Sequence, residues 1–461
     1  MRKDYYDVII VGAGPAGIFA ALELSKKPGL KLLILDKGPD IEKRLCPARL
    51  PEGRCVHCRP CLLLSGWGGA GAFSDGKLTL SPEVGGQLAN LVGFEKAKAL
   101  VEEVDCVFRR FGAEGPLYGA EGDELEFWDK KASLAGLRLV HSPIRHLGTE
   151  HSNDILRAMR DFLLQQGVEI GTGVEVGRIL TSEGQVSGLE MKTGGTLRAK
   201  CLIVAPGREG AAWLSQVAGE LNLPLSHNPV DLGVRVELPA EVLEPLTKAL
   251  YEPKLIYFSR HFDDKVRTFC VCPYGEVVAE YVGEVMTVNG HSYSDRRTNN
   301  TNFAILVSKN FTEPFKDPIA YGKYIASLAN LLSGGIIIQR LGDLEQGRRT
   351  TEQRLARCIV IPTLKEATPG DLGLVLPYRY IVNILEMLKA MDELTPGVYS
   401  RHTLLYGVEV KFFSSRLGLS QGLETAVRNL FAAGDGAGIT RGLVQAAASG
   451  LVAAREILSR L

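Results

Sequence analysis

The sequence predicts an α/β protein in which a discontinuous domain with a mainly parallel sheet carries an inserted α+β domain. Two glycine-rich turns, one near each end of the chain, each follow a short apolar run and precede a helical pattern. Between them lie short alternating runs broken by glycines, as in a β-meander. The 461 residues, of which 45% are hydrophobic, are enough for two or three domains with buried cores.

The first glycine-rich turn follows the Val- and Ile-rich run from Asp7 to Val11. Gly12 allows the tight turn, Gly14 lets backbone approach a pyrophosphate, and Gly17 lets the next helix pack closely on the strand. This order of strand, glycines and helix predicts a Rossmann-like unit that binds a dinucleotide.

The helix that begins with Pro15 and Ala16 would point its N-terminus at the phosphates. The next apolar run ends at Asp36, whose carboxylate can accept hydrogen bonds from a ribose diol. We count Lys37 and Arg44, which follow, as further cofactor-binding candidates. These features alone do not distinguish NAD from FAD.

The second turn, in the segment FAAGDGAGITRGL, resembles the closing motif of flavoproteins of the glutathione reductase type. The resemblance implies that Asp435, after Gly434, holds the ribityl chain of FAD. It also implies that the backbone from Gly438 to Gly442 and Leu443 directs a positive helix end at the flavin. The segment AKCLIVAPG, with Ala205 and Gly207, resembles the same superfamily's middle strand and turn, with Pro206 in place of a Thr.

A wider resemblance covers almost the whole chain and includes SGWGGAGAFSDGKLTL, NPVDLGVRVE and YGVEVKFFSSR. These segments are similar to a family described as uncharacterised FAD-dependent dehydrogenases. Membership implies FAD and redox chemistry, and it leaves the substrate open. The glycine-rich loop is expected at the flavin ring, with cofactor-binding candidates at Gly68, Gly69, Ala70 and Gly71.

The predicted FAD-binding domain comprises residues 1–90, 151–215 and 401–461, and the substrate or cap domain comprises 91–150 and 216–400. The insert shows strand patterns, including 267–272 and 303–307, and helical patterns at 321–332 and 379–394. A single complete glycine fingerprint leaves no separate nicotinamide-binding domain. Electrons therefore come either from transiently bound NAD(P)H or from a protein donor.

Four cysteines, Cys46, Cys55, Cys58 and Cys61, are concentrated in a short basic segment. Their spacing is similar to part of a ferredoxin cluster pattern, although the remote Cys-Pro lies on the N-terminal side. An iron–sulfur cluster, a structural zinc, a redox-active thiol pair and unreactive buried thiols all remain open. A metal centre here could receive electrons from a ferredoxin-like partner docked on the basic patch.

The candidate catalytic groups are Asp75 and Lys77 in the glycine-rich segment, and Lys411 and Arg441 towards the C-terminus. A lysine at the flavin could donate the proton that accompanies hydride transfer to a polarised double bond. Lys411 could instead pair with Glu409 on the same strand face. Arginines at positions 235, 296–297 and 348–349 suit an anionic substrate or surface ion pairs. Cys270 and Cys272 are expected on one regular strand face.

The composition narrows the function classes. Equal numbers of basic and acidic residues, 53 of each, remove the simplest argument for nucleic-acid binding. Apolar runs are too short for a membrane span, and we expect a cytoplasmic protein without a signal peptide. The predicted function is FAD-dependent transfer of hydride or electrons to a small, anionic organic substrate. The alternative is an iron–sulfur flavoprotein that accepts electrons from a ferredoxin-like donor.

Overall fold

A computed structural model describes residues 4–47, 56, 58–74, 76–119, 122–147, 149–226, 228–282, 285–292, 296–309, 311, 317–411 and 415–461. The chain divides into two compact units, each built from separate stretches of sequence. The first unit comprises Met1–Pro116, Arg145–Asn228 and Ser414–Leu461, and the second comprises Leu117–Ile144 and Pro229–Phe413.

Helices and strands alternate along most of the chain. The α-helices in the described residues are α1 (Pro15–Leu24), α2 (Leu88–Val92), α3 (Phe94–Arg110), α4 (Asp123–Leu134), α5 (Thr149–Gln165), α6 (Ala211–Glu220), α7 (Ala240–Leu250), α8 (Pro318–Ser333), α9 (Leu341–Leu344), α10 (Glu352–Leu355), α11 (Tyr378–Leu394) and α12 (Leu443–Leu458). The strands there are β1 (Tyr5–Val11), β2 (Leu32–Asp36), β3 (Lys77–Thr79), β4 (Leu117–Tyr118), β5 (Arg138–Val140), β6 (Ile144–His146), β7 (Glu169–Thr172), β8 (Val176–Ser182), β9 (Gln185–Met191), β10 (Thr196–Val204), β11 (Leu225–Ser226), β12 (Val230–Pro239), β13 (Lys254–Phe258), β14 (Lys265–Cys272), β15 (Glu276–Val282), β16 (Val285–His291), β17 (Asn300–Lys309), β18 (Ile337–Arg340), β19 (Thr368–Pro369), β20 (Leu404–Lys411), β21 (Arg416–Leu417) and β22 (Leu430–Ala432). None of these helices has the length and apolar character needed to cross a membrane.

The main sheet of the first unit has the strand order β7-β2-β1-β10-β9-β8. β7, β2, β1 and β10 run parallel, and β8, β9 and β10 form an antiparallel meander. The last residues of β10 pair with β22, which brings the C-terminal glycine turn to the same edge as the first one. This sheet with its meander confirms the predicted α/β class.

All four internal boundaries of the first unit differ from the sequence prediction, and the differences at residues 91–116 and 401–413 have a clear packing reason. Residues 91–116 lie in it because Leu100, Val104 and Phe108 of α3 belong to its hydrophobic core. Residues 401–413 lie in the second unit because β20 pairs with β12. Local sequence patterns do not reveal either assignment. Both depend on which of the two hydrophobic cores covers the apolar face of α3 or β20.

The second unit contains an eight-stranded sheet with the order β19-β18-β20-β12-β17-β14-β13-β5. Its strand pairs are antiparallel except for β18 and β19. Of the helices predicted in the insert, α8 is capped at its N-terminus by Asp317, whose side chain accepts a hydrogen bond from the Ala320 amide. At its C-terminus it is capped by Gly334, in the left-handed conformation with φ +70°. The inserted domain is therefore of the α+β type.

Candidate functional site

The first glycine turn is held tightly at two of its glycines and is open at the third. Gly12 has φ +111°, and a Cβ there would lie 2.1 Å from the carbonyl oxygen of Ala205. A Cβ on Gly17 would lie 1.9 Å from the Gly12 oxygen. At Gly14 the nearest atom to such a Cβ is the Gly69 Cα, 3.9 Å away. Strand and helix therefore pack closely at Gly12 and Gly17, whereas the backbone at Gly14 stays accessible.

Asp36 ties three backbone segments together at this turn. Its Oδ2 accepts a hydrogen bond from the Ala13 amide, and its Oδ1 accepts from the amides of Gly38 and Gly66, all at 2.8 Å. A carboxylate has about four acceptor positions, so one remains for a further donor such as a ribose hydroxyl. Asp36 thus has a structural role that the sequence analysis did not foresee, and its ribose role stays a prediction.

The glycine-rich loop packs against the first turn. Gly68 donates its amide hydrogen to the Ala13 oxygen at 2.8 Å, and the 3-10 helix Gly69–Phe73 follows. A Cβ on Gly71 would lie 2.8 Å from Leu443 Cδ2 and 3.5 Å from Pro15 Cγ. The loop, including Ala70, therefore lies where the starts of α1 and α12 come together.

Arg44 is the buried cation that shapes this loop. It is 5% exposed, and its guanidinium donates to the carbonyl oxygens of Trp67 at 2.7 Å and Gly69 at 2.8 Å. Further bonds go to the Leu62 and Leu63 carbonyls. Burial lowers the pKa of Arg44 to about 10, which still leaves it charged at neutral pH. These four hydrogen bonds go to neutral carbonyl groups, so the charge of Arg44 adds to the positive potential around the loop.

Lys37 forms an ion pair with the carboxylate of Glu209. Burial lowers the pKa of Lys37, and the neighbouring carboxylates oppose that shift only in part. Lys37 therefore lies beside the Asp36 turn, and the carboxylate of Glu209 already balances its positive charge.

The turn before α12 is organised by Asp435. Its carboxylate accepts from the Thr440 hydroxyl at 2.9 Å and from the Gly442 amide at 3.4 Å. Burial raises the pKa of Asp435, although nearby Arg208 and the two hydrogen bonds oppose this. Arg208 lies 3.9 Å away and was not singled out in the sequence. α12 then begins after Gly442, at φ +109°, without a side-chain cap.

Gly207 lies between the two glycine turns. It has φ +65°, and a Cβ on Gly436 would lie 2.6 Å from its carbonyl oxygen. Ala205 contacts Gly12 in turn. The segment from Ala205 to Gly207 therefore links the first glycine turn with the C-terminal one. The predicted cofactor positions in the first unit are thus neighbours in space.

The candidate catalytic groups have different surroundings. Lys77 begins β3, and Asp75 lies outside the described residues. The Arg441 amide donates to the Gly85 oxygen at 2.5 Å, which fixes the backbone of Arg441 just before the start of α12. In the second unit, Lys411 Nζ lies 3.0 Å from Glu409 Oε1, as the pairing interpretation predicts.

The arginines proposed for substrate binding are largely used in structural contacts. Arg235 is fully buried, Arg348 Nε lies 2.9 Å from Asp343 Oδ1, and Arg296 pairs with the Glu276 carboxylate at 2.8 Å. Strand alternation and charge counts cannot reveal such contacts, because they depend on how the chain folds back on itself.

The cysteine segment is described in part. Cys46 is buried, Cys58 and Cys61 are half-buried, and Cys55 lies outside the described residues. The Cys58 sulfur accepts a hydrogen bond from the Leu62 amide at 3.4 Å. Within the described part of the chain, no group of three or more metal-binding side chains comes together. Whether Cys55 completes a centre therefore stays a hypothesis.

Family comparisons match three parts of the chain. Residues 229–412 match the family "FAD-dependent protein, C-terminal domain-like", which coincides with most of the second unit. Residues 3–40, which contain the first glycine turn, match the Thi4 family, and residues 364–461 match the glucose inhibited division protein A family. The chain is an FAD-dependent oxidoreductase.

Individual relatives of this oxidoreductase are distant. An uncharacterized protein of Clostridium beijerinckii is 28% identical over 98% of this chain and 80% of its own length. Protein FixC of Escherichia coli is 26% identical over 53% of this chain and 46% of its own length. The 3-ketosteroid-delta4-(5alpha)-dehydrogenase structure of Rhodococcus jostii RHA1 shares 14% identity with a TM-score of 0.44, covering 98% of this chain and 96% of that one.

The first unit of this oxidoreductase has the features that FAD requires. α1 and α12 both begin without a side-chain cap, so their N-terminal amides can face an anion. The backbone at Gly14 is accessible, and Asp36 retains acceptor capacity. Gln445, in the first turns of α12, has a buried Oε1 with no partner among the described residues, a signal that the sequence did not carry.

Proposed function

We propose that FAD binds at the paired glycine turns of the first unit, and that the enzyme transfers hydride or electrons between the flavin and a small anionic organic substrate. Reduction of an activated double bond, or its reverse, is the reaction to test first. The observation that carries the proposal is the meeting of two uncapped helix N-termini, at Pro15 and Leu443, on the Gly71 loop.

The two helix ends would have separate tasks. The N-terminus of α1, next to the open Gly14, would bind the pyrophosphate, and the Asp36 carboxylate would accept from a ribose hydroxyl. The N-terminus of α12 would stabilise negative charge on the isoalloxazine ring. FAD, when bound, supplies reversible acceptance of two electrons and a proton at the ring.

The anionic character of the substrate is inferred from charges near α12. Arg208 and Arg441 both act electrostatically on the half-buried Asp435, next to the N-terminus of α12. These guanidinium groups and the helix end would attract a substrate carboxylate. Lys77 and Asp75 remain the candidates for moving a proton, with Lys411 less suited because Glu409 already holds its ammonium.

A glycine substitution tests the cofactor site without disturbing the fold. Gly14 has φ −80° and ψ −176°, and its surroundings are open, so Gly14→Ala should fold normally. Its methyl group would occupy the space in which backbone approaches the pyrophosphate, and FAD affinity should fall by about tenfold or more, roughly 1.4 kcal/mol. Flavin fluorescence titration of the apoprotein measures this.

The matched control is Gly219→Ala, in the last turn of α6, where a Cβ also meets no atom within 4 Å. It should leave FAD affinity unchanged and keep the melting temperature at or slightly above that of the wild-type protein, because alanine favours a helix more than glycine does. If Gly14→Ala binds FAD as tightly as the control, the proposed pyrophosphate position is wrong.

The reaction itself is tested with the FAD-loaded enzyme under anaerobic conditions. Rapid bleaching of the flavin by NADPH or NADH, followed by reoxidation with a small unsaturated carboxylate, would support the proposal. Failure of all such acids to reoxidise the flavin, while uncharged enones succeed, would overturn the anionic substrate class.

The alternative, an iron–sulfur centre fed by a ferredoxin-like donor, is supported by the charges near Cys61. Lys37 and Arg44 both lie near enough to interact electrostatically with this cysteine, so the segment carries local positive charge that could dock an acidic donor. Iron, zinc and flavin content of one anaerobically purified sample separates the two functions. Iron at cluster stoichiometry that is lost in Cys58→Ser would favour the alternative, and flavin without metal would eliminate it.

A further inference from the structure

We propose that Cys270 and Cys272 form a redox-active dithiol, which closes to a disulfide by exchange with a small disulfide such as oxidised glutathione. The site lies within the second unit, on β14, and does not depend on the proposed cofactor site. No part of the flavin chemistry proposed above uses it.

The backbone at these cysteines departs from a regular strand. Side chains two residues apart on a regular strand are separated by roughly 7 Å, which keeps two sulfurs apart. Here the pairing of β14 with β17 shifts register between Phe269 and Cys272, and Cys270 has φ +45°. The bulge brings the two sulfurs to 3.9 Å. The regular strand face predicted from the sequence is therefore wrong at this point.

A left-handed conformation is costly for a residue with a side chain, about 1 kcal/mol or more. Such conformations persist where the surrounding structure fixes them, and they are concentrated at functional sites. At Cys270 the fixing contact is a hydrogen bond of 2.7 Å from Arg235 Nη2 to the Cys270 carbonyl oxygen. The approach of the two sulfurs is thus held by a buried side chain.

The same arginine favours thiolate at the second cysteine. Arg235 is fully buried, and its Nη2 also donates to Cys272 Sγ at 3.2 Å. Its Nη1 lies 3.4 Å from the Glu409 carboxylate, which Lys411 contacts at 3.0 Å. Among the described residues, two cations thus share one carboxylate, and the surplus positive charge lies beside the sulfur. A nearby cation stabilises thiolate, the reactive form of cysteine.

The solvent exposure of the two cysteines assigns the order in which they react. Cys270 is half-buried, whereas Cys272 is 1% exposed. The Cys270 thiolate attacks one sulfur of the small disulfide, which forms a mixed disulfide and releases one thiolate. The Cys272 thiolate then attacks Cys270 Sγ and expels the second thiolate. Two protein thiols are oxidised, the small disulfide is reduced to two thiols, and the two protons pass to the released thiolates.

The final bond requires a small displacement. The sulfurs must approach from 3.9 Å to about 2.0 Å, the length of a disulfide bond. Rotation of the Cys270 side chain, which is not fully enclosed, can supply this movement without unfolding the strand. The product is a three-residue loop that is closed at the bulge.

Mass spectrometry of the full-length, fully reduced protein treated with oxidised glutathione tests the proposal. The tryptic peptide from residues 268 to 296 holds no cysteine other than Cys270 and Cys272. We expect it to lose two hydrogen atoms and to carry no glutathione. Cys106, exposed on α3, is the internal control and should keep a glutathione adduct, because its tryptic peptide contains no other cysteine.

Two variants define the order of attack. Cys272→Ser should trap glutathione on Cys270, and Cys270→Ser should lose most of the reaction because Cys272 is buried. Circular dichroism establishes that both are folded. A stable glutathione adduct on Cys270 in the wild-type protein would overturn the proposal. So would an unmodified peptide in a sample whose Cys106 has reacted.

Discussion

Gly17 of α1 lies directly against the carbonyl oxygen of Gly12, at a distance that excludes a side chain. A Cβ on Gly17 would approach that oxygen to 1.9 Å. Gly17→Ala must therefore push the helix away from the strand, and we expect it to lower the free energy of unfolding by about 1–3 kcal/mol. Urea denaturation measures the change. An unchanged midpoint, equal to that of the wild-type protein, would contradict this packing.

Asp36 should be needed for the fold as well as for the cofactor. Asp36→Asn replaces one oxygen by a donor, which cannot accept from the amides of Gly38 and Gly66 or from that of Ala13. We expect a loss of about 2 kcal/mol of stability and weaker FAD binding. Asp7→Asn is the matched control, because Asp7 accepts a single backbone bond at the surface. Equal stability of the two variants would exclude the structural role.

Arg44 should be irreplaceable by lysine, although lysine keeps the charge. Arg44 bonds to four carbonyl oxygens, and a lysine ammonium has at most three donors and a different geometry. Arg44→Lys should destabilise the protein by about 3 kcal/mol. Thermal unfolding compared with Arg109→Lys, an exposed site on α3, measures this. A difference of less than about 0.5 kcal/mol would show that the loop does not depend on the guanidinium.

Asp343 should make stability depend on pH in the acid range. Burial alone would raise its pKa, but hydrogen bonds from Arg340, Thr350 and Arg348 outweigh burial and lower the pKa from 3.8 to about 2. A carboxyl whose pKa is depressed by folding stabilises the native state above its unfolded pKa. This contribution, about 2 kcal/mol, is lost as the pH falls from 3.8 towards 2.

The comparison with Asp343→Asn isolates this effect, because the amide does not titrate. The wild-type protein should be more stable than the variant at pH 5, and the difference should shrink below about pH 4. Urea unfolding at a series of pH values measures it. A difference that stays constant across this range would refute the assignment to Asp343.

The cofactor turns could be predicted from the sequence because their chemistry is local. Gly12, Gly14 and Gly17 lie within six residues, and Gly12 and Gly17 have conformational or packing roles that only glycine fills. Asp36 was found at the end of the next strand for the same reason. The backbone hydrogen-bond donors to Asp36 were not predictable. The amides of Gly38 and Gly66 reach its carboxylate only because the intervening loop closes on it.

The sequence by itself determined the α/β class and the two glycine turns, because these follow from short-range patterns of apolar residues and glycine. Its resemblance to known flavoproteins implied the FAD-dependent class. Only the tertiary structure decided that Arg44 and Arg235 are buried and that α3 belongs to the first unit. It also decided that Cys270 leaves the regular strand. These properties depend on packing between distant segments, where burial and charge pairing select one arrangement among many that local patterns permit.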